Sequence, residues 1–180
     1  MRIFSAIRFL PSIACLITIS LASLIQAQES WRDLYQPQVF DGMPCRIMTP
    51  LTVDANKDYP VIVSLHGAGG KGNNNKKQLK DWNHQLADEQ RRKDFPCYVV
   101  APQADELWNS GHLRKIKGVI NTLPSVDMSR IYILGHSMGG HGTYIFTQID
   151  PEFFAAAAPS AGSGRSEEHT SELQSPMYLV

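Results

Sequence analysis

Residues 130–140 read RIYILGHSMGG, and this segment carries the clearest structural signal in the chain. Its apolar first half, through Leu134, is typical of a buried parallel strand. Its second half has the spacing Gly-x-Ser-x-Gly, in which small residues flank a serine on a sharp strand-to-helix turn. Such a turn strains the serine backbone and projects the hydroxyl out of the sheet. The segment therefore predicts a strand, a nucleophile elbow at Ser137 and a helix that continues through Gln148.

Apolar segments on the N-terminal side of this elbow repeat a strand-then-helix pattern. Val61–Leu65 and Cys97–Pro102 are short apolar runs that end at a glycine-rich loop or a proline, which is typical of buried strands. Apolar residues at helical spacing follow each run: Leu79, Trp82, Leu86 and Ala87 after the first, and Leu113, Ile116, Ile120 and Leu123 after the second. This alternation predicts an α/β protein with a doubly wound, mostly parallel sheet and helices on both faces.

The two ends of this pattern need separate interpretation. Asp41-Gly42 separates two short extended segments, 34–40 and 45–49, and predicts an N-terminal antiparallel hairpin. At the other end, Asp150-Pro151-Glu152 favours a helix over the residues that follow, whereas the alternation of elements favours a turn and then a strand. We predict a strand over 153–160, about the sixth of the sheet, because tertiary context often overrides local propensity.

The N-terminus has the organisation of a secretory signal peptide. Arg2 and Arg8 precede an apolar run over 9–25, and Ala27 precedes a polar stretch that begins at Gln28. The alternative is an uncleaved membrane anchor, which a proline and several hydroxyl residues in the run weaken. We predict a signal peptide over 1–27, a secreted or periplasmic location, and no stable membrane association after cleavage.

The C-terminal segment 165–180 is polar and without periodicity. From Arg165 through Ser175 it looks like the translation of a common sequencing-adapter oligonucleotide, although a natural disordered tail would have a similar composition. We predict that this segment is foreign to the fold and that the natural sequence is interrupted near Gly164. Residues 28–164 would then form a partial domain, truncated after about the sixth strand.

Charge and cysteine content limit the classes of protein that remain. The 17 basic and 17 acidic residues balance, so no strongly basic surface is expected and nucleic acid is not predicted as a partner.

Cys45 and Cys97 remain after signal cleavage, and export would permit a disulfide between them. Each lies at the start of a predicted strand, and the two strands should be antiparallel. The cysteines are therefore expected at opposite ends of the sheet, as buried thiols.

A glycine-rich loop, His66-Gly67-Ala68-Gly69-Gly70, follows the first central strand. Such a loop can direct a backbone N–H at the carbonyl oxygen of a bound ester, and we assign this role to Ala68 together with the N–H of Met138. The alternative is a phosphate-binding loop, but no Gly-Lys-Ser/Thr ending follows. His66 is interpreted as a structural residue that hydrogen-bonds the loop.

Over residues 59–162 the chain resembles the α/β-hydrolase superfamily. The resemblance is carried by Pro60–Gly67, Val126–Tyr132, Gly135–Gly140 and Pro151–Ala156. It is strongest to secreted bacterial esterases of the polyhydroxybutyrate depolymerase, feruloyl esterase and phospholipase/carboxylesterase-like type. The resemblance implies a serine nucleophile at Ser137, a small-molecule or polymeric ester substrate, and neither a metal nor a cofactor.

The resemblance also implies that the catalytic acid and base are not among residues 28–164. In this superfamily the acid and the histidine follow the nucleophile in the order Ser, Asp/Glu, His, on loops after later strands. Those strands would lie beyond Gly164. His136 lies inside the elbow, His141 lies about one turn along the next helix, and Asp150 is expected to cap a turn. No base or acid is assigned, and the chain as given is expected to be an inactive fragment.

Three further aromatic or imidazole residues carry weaker signals. Trp108 follows the second central strand at the carboxyl edge of the sheet, where open α/β sheets bind substrates. It could form a wall of the substrate pocket or be an ordinary loop aromatic. His84 and His112 have no spaced cysteine or second histidine beside them, and they are interpreted as surface residues rather than metal ligands.

Two other functions share the same sequence features. A secreted peptidase of the prolyl-oligopeptidase type has the same elbow and fold, and ester against peptide turnover would separate it. A non-catalytic binding protein could retain the fold without the triad. An Asp and a His at triad spacing in the natural C-terminal sequence would exclude that possibility.

The signal segment generates a direct prediction about processing. In a secreting bacterial host the mature chain should begin at Gln28, which N-terminal sequencing of the exported protein would show. Recovery of a chain that still begins at Met1 in the membrane fraction would contradict cleavage and favour an anchor.

Overall fold

The computed structural model describes residues 30–162, so the predicted signal peptide (1–27) and the foreign tail (165–180) lie outside the described residues. Six strands are present in this part of the chain: β1 Gln36–Phe40, β2 Met43–Met48, β3 Tyr59–Leu65, β4 Tyr98–Pro102, β5 Val126–His136 and β6 Ala156–Ser160. Four α-helices connect them: α1 Asp81–Leu86, α2 Glu89–Asp94, α3 Ser110–Asn121 and α4 Met138–Ile149. Within 30–162 no helix combines the length and apolar character that a membrane span requires.

The six strands form one sheet in the order β1-β2-β4-β3-β5-β6. β2 pairs antiparallel with β1 and with β4, and the remaining pairs are parallel. This arrangement confirms the predicted mostly parallel sheet with an N-terminal antiparallel hairpin. Because β3, β4, β5 and β6 run in the same direction, the loops that follow them meet at one edge of the sheet.

Alternate residues of the strands serve two separate apolar layers. On one face, Val61 and Val63 of β3 pack in the same cluster as the buried stripe of α3 and Phe146 of α4. On the other face, Ile62 packs with Leu86 of α1. A strand buried on both faces needs apolar residues at every position, which explains the continuous apolar runs in the sequence. The prediction of helices on both faces is confirmed.

The first predicted helix is only partly correct. Apolar spacing from Leu79 predicts one helix, but the chain forms two short helices, and α1 begins at Asp81. The break occurs because Asp88 caps α2, with its Oδ1 accepting a hydrogen bond from the backbone N–H of Arg91 at 2.9 Å. The first N–H groups of a helix have no acceptor within that helix, and the aspartate side chain supplies one here. A cap of this kind marks the start of a new helix at Glu89. Leu79 and Leu86 are still buried as the spacing predicts.

The ambiguous segment after α4 forms a strand, as predicted. β6 pairs in parallel with β5 from Ala156 to Ser160, and the N–H of Ala155 donates to the carbonyl oxygen of Ile131 at 2.7 Å. These ladder contacts outweigh the local helix preference of an alanine-rich segment. Asp150 ends α4 and forms an ion pair with Lys117 of α3, so its carboxylate is directed away from the elbow.

The two cysteines are free thiols on different parts of the sheet. Cys45 lies opposite Pro102, the last residue of β4, whereas Cys97 directly precedes the first residue of that strand. The length of β4 therefore separates the two thiols, beyond the reach of a disulfide. Burial raises the pKa of Cys45 to about 12 and also raises the pKa of Cys97.

Free thiols lead to a prediction for the chain that starts at Gln28. In denaturant without reductant, a thiol reagent should titrate both Cys45 and Cys97. In the native state Cys97, which is half-buried, should react faster than the fully buried Cys45 by on the order of tenfold or more. A denatured chain that yields no free thiol would contradict the strand arrangement.

Candidate active site

Ser137 stands at the turn between β5 and α4 in a strained backbone conformation. Its φ is 57° and its ψ is −119°, a left-handed φ that residues with a side chain rarely adopt. Hydrogen bonds on both sides hold it there. The N–H of Ser137 donates to the carbonyl oxygen of Ser160 at 2.8 Å, and its own carbonyl accepts from the N–H of His141 at 3.0 Å. Ser137 is exposed, so the strained turn presents its hydroxyl at the surface.

Steric contacts explain why glycine flanks this serine at both positions two residues away. A Cβ built on Gly135 would lie 2.3 Å from the carbonyl oxygen of Gly139. A Cβ on Gly139 would lie 2.3 Å from the carbonyl oxygen of Leu65, at the end of β3. Neither neighbour is a flexible side chain, so α4 can start this close to β3 and β5 only with glycine at both places.

The glycine-rich loop after β3 lies directly beside the serine. A Cβ on Gly67 would be 3.1 Å from the carbonyl oxygen of His136 and 3.9 Å from Oγ of Ser137. The next residue, Ala68, is exposed and begins a short 3-10 helix over Ala68–Gly70. The structure therefore brings together the loop and the serine that the sequence singles out.

Ala68 and Met138 are both placed where an N–H is left unpaired. Each is the first residue of a helix, a position whose N–H has no partner within the helix. Within 30–162 neither N–H has another hydrogen-bond acceptor. Two such donors beside Ser137 are what an oxyanion hole requires, and their catalytic role stays a prediction.

His66 is fully buried and uses both ring nitrogens to hold the loop. Nε2 accepts a hydrogen bond from the N–H of Ala104 at 3.0 Å, so the proton is on Nδ1, which donates to the carbonyl oxygen of Gly67 at 2.8 Å. Burial is the main cause that lowers the pKa of His66 to about 4, and the nearby Lys80 ammonium lowers it further. The ring is therefore neutral at pH 7 and has no free nitrogen, which agrees with a structural role.

Trp108 lies in the core and does not form a wall of a substrate pocket. Its side chain is 1% exposed, and its Nε1 donates to the carbonyl oxygen of His66 at 3.1 Å. A Cβ on Gly142 of α4 would lie 2.6 Å from the indole ring. Trp108 thus fills the space between the loop and α4, and its apolar surface is used in the core instead of being offered to a substrate.

Gln103 is a supporting residue whose role the sequence does not reveal. It is 2% exposed, and its amide nitrogen donates to the carbonyl oxygen of Gly70 at 3.0 Å while its Oε1 accepts from the N–H of Asn75 at 2.6 Å. In the sequence, its position directly after β4 was the only sign that it could support the site. Its contact with the glycine-rich loop depends on the pairing of β4 with β3 in the sheet.

No histidine within 30–162 contacts the hydroxyl of Ser137. His136 lies at the surface with Nδ1 3.3 Å from Oγ of Ser160, and His141 lies one turn into α4. His112 lies in the first turn of α3, and His84 stacks on Trp31. In the same range no three His, Cys, Asp or Glu residues are grouped as metal ligands would be. The described residues therefore hold a candidate nucleophile and its supports, with no general base in contact.

Comparison with known proteins identifies the fold. No protein-family model and no curated protein matches the sequence. A thermostable esterase of known structure is 30% identical, with a TM-score of 0.68 and a match that covers 77% of this chain and 43% of the esterase. The S-formylglutathione hydrolase of Staphylococcus aureus is 17% identical, with a TM-score of 0.53 and coverage of 71% and 56%. An acylaminoacyl peptidase is 20% identical, with a TM-score of 0.54 and coverage of 72% and 23%.

The chain has the α/β-hydrolase fold, and its solved neighbours are esterases and serine hydrolases, a peptidase among them. It spans less than half the length of the thermostable esterase it matches at 30% identity.

The buried His66 predicts that stability falls in acid. Its pKa is about 4 when folded and near 6.5 when unfolded, so the unfolded chain binds more protons between these values. The contribution of His66 to stability is present above about pH 6.5 and is lost as the pH falls toward 4. From pH 7 to pH 5 the free energy of unfolding should decrease by about 2 kcal/mol through this group.

Urea unfolding of the chain and of His66→Gln at both pH values measures this contribution. The variant should be less stable at pH 7 and should lose most of the pH dependence. His112→Gln is the matched control. Burial also lowers the pKa of His112, but this residue does not hold the loop. Equal pH dependence in the chain and in His66→Gln would contradict the neutral, buried imidazole.

Proposed function

We propose that this chain is the nucleophile-bearing part of a serine hydrolase that acts on carboxylic esters. The observation that carries the proposal is the strained Ser137 at the end of β5, with the loop residue Gly67 packed against it. A backbone held in a sparsely populated conformation is commonly part of a mechanism. The 30% identity to an esterase supports the ester class.

The proposed reaction proceeds in two steps through an acyl-enzyme. The Oγ of Ser137 attacks the ester carbonyl carbon while its proton passes to a general base. The carbonyl oxygen becomes negatively charged and is stabilised by the N–H groups of Ala68 and Met138. The C–O bond to the alcohol then breaks, and the base returns the proton to the leaving oxygen. Water, deprotonated by the same base, then attacks the acyl carbon. The bond from that carbon to Oγ of Ser137 breaks, the base returns the proton to Oγ, and the carboxylic acid leaves.

The acid and the base of this mechanism are proposed to lie beyond Gly164 in the complete protein. In hydrolases with this elbow the order along the chain is Ser, then Asp/Glu, then His. No histidine side chain in the described part of the chain contacts the hydroxyl of Ser137, which agrees with that order. We also propose that the protein acts outside the cytoplasm, on the basis of the signal-like segment 1–27.

A peptidase is the second candidate, because an acylaminoacyl peptidase is among the structural neighbours. Peptidases and esterases can share the same nucleophile and oxyanion donors, since both reactions pass through an acyl-enzyme. Turnover of a chromogenic peptide anilide faster than that of a matched ester would favour the peptidase. A non-catalytic binding protein would turn over neither.

Substitution of Ser137 tests the proposal in the protein that carries its natural sequence after Gly164. A serine-directed fluorophosphonate should label that protein, and Ser137→Ala should abolish the label. Ester turnover should fall by about a million-fold, because the hydroxyl that forms the acyl-enzyme is lost. The chain 28–180 should show no comparable turnover, since no histidine ring among the described residues 30–162 contacts the hydroxyl of Ser137.

Ser160→Ala is the matched control, because Ser160 is exposed at the same edge and binds Ser137 through its backbone only. This variant should retain both label and turnover. Persistent labelling of Ser137→Ala would show that another serine is the nucleophile. Esterase activity of the chain 28–180 that depends on Ser137 would show that its base lies within this sequence.

A further inference from the structure

A lysine ammonium lies beside the exposed part of the glycine-rich loop. A Cβ built on Gly69 would have Nζ of Lys80 as its nearest neighbour, at 4.0 Å. Gly69 and Ala68 are both exposed, and Lys80 is half-buried. The ammonium thus lies beside the exposed residues of the loop whose first glycine, Gly67, packs against Ser137.

The backbone of Lys80 is fixed by buried neighbours. Its N–H donates to Oδ1 of Asn83 at 2.8 Å, and its carbonyl oxygen accepts from the N–H of Asn83 at 2.8 Å. Asn83 is fully buried and also donates to Oγ of Ser64 on β3 at 3.0 Å. β3 therefore positions both the loop and the backbone of the residue that carries the charge.

Within the described residues Lys80 has no carboxylate partner, and neither has Lys71, the residue that directly follows the loop. Both cations act at the loop, because each contributes to lowering the pKa of the buried His66. Two uncompensated cations beside an uncharged loop make this edge of the sheet attractive to an anion. A half-buried cation without a partner attracts an anionic ligand more strongly than a fully solvated one.

We propose that Lys80 is a specificity-determining residue that binds a carboxylate carried by the ester substrate close to the ester bond. The inference rests on the proposed ester hydrolysis and names its substrate class, a half-ester or another ester with a free carboxylate. Only Ala68 separates Gly67, which packs against Ser137, from Gly69, which lies beside the ammonium, so the Cα atoms of the two glycines are at most about 7 Å apart. A substrate with a short spacer, such as the three methylene groups of a glutarate half-ester, is of a size to reach from one to the other.

Two esters of nearly equal shape test this preference in the complete enzyme. The 4-nitrophenyl ester of pentanoic acid and the mono-4-nitrophenyl ester of glutaric acid differ in a terminal methyl group and a terminal carboxylate. The spontaneous rate of each is subtracted, because the glutarate carboxylate attacks its own ester. In Lys80→Met the ratio of kcat/KM for the glutarate ester to that for the pentanoate ester should fall about fivefold, mainly through KM.

Control variants separate a specific site from general charge. Lys80→Arg should restore most of the ratio, and Lys76→Met, at an exposed lysine of the same segment, should leave it unchanged. Adding sodium chloride to about 0.5 M should reduce the preference of the unmodified enzyme for the glutarate ester, because salt screens the ion pair. An equal loss for both esters in Lys80→Met would overturn the proposal, since Lys80 would then act on the reacting oxygen or on the fold.

An NMR titration of His66 in the chain adds a readout that does not depend on turnover. Lys80→Met should raise the pKa of His66, because a nearby positive charge is removed. An unchanged His66 pKa would overturn the position of the ammonium. An unmodified complete enzyme that hydrolyses neither ester would contradict the proposed function itself, whereas equal use of both esters with full salt insensitivity would contradict the carboxylate site alone.

Discussion

The contact between the start of α4 and the end of β3 constrains the rest of this structure. Gly139 lies so close to the carbonyl oxygen of Leu65 that no side chain fits between them. That approach places the turn at Ser137 next to the loop that leaves β3, so the candidate nucleophile and Gly67 become neighbours. The strained φ of Ser137 is the conformational cost of turning the chain so sharply. Hydrogen bonds from β6 and α4 offset that cost.

A buried polar network determines the shape of the loop. A neutral His66 bridges Gly67 and Ala104, and Gln103 bridges Gly70 and the segment near Asn75. Buried polar groups are costly unless each has a partner, and here the partners come from the ends of two adjacent strands. The loop is therefore held from below by residues that never reach the surface. Its outer side, at Ala68 and Gly69, stays open.

Charge is distributed unevenly around this edge. The loop itself is uncharged, Lys80 and Lys71 lie beside it, and Asp150 is paired with Lys117 away from the elbow. An electropositive rim next to two unpaired backbone N–H groups favours negative charge, whether it develops on a reacting oxygen or is already present on a ligand. The zero net charge of the whole chain conceals this local asymmetry.

Local signals in the sequence were sufficient for the strands, the hairpin and the elbow, because each depends on nearest-neighbour chemistry: apolar runs, Asp41-Gly42, and glycines around Ser137. The choice of strand for β6 already needed the pattern of the whole chain. Tertiary packing decided the rest. The burial of Trp108 follows from its packing between the loop after β3 and α4, and the approach of Lys80 to Gly69 follows from the hydrogen bond that joins Asn83 to Ser64 of β3. Such contacts join residues far apart in the chain, and neither spacing nor propensity records them.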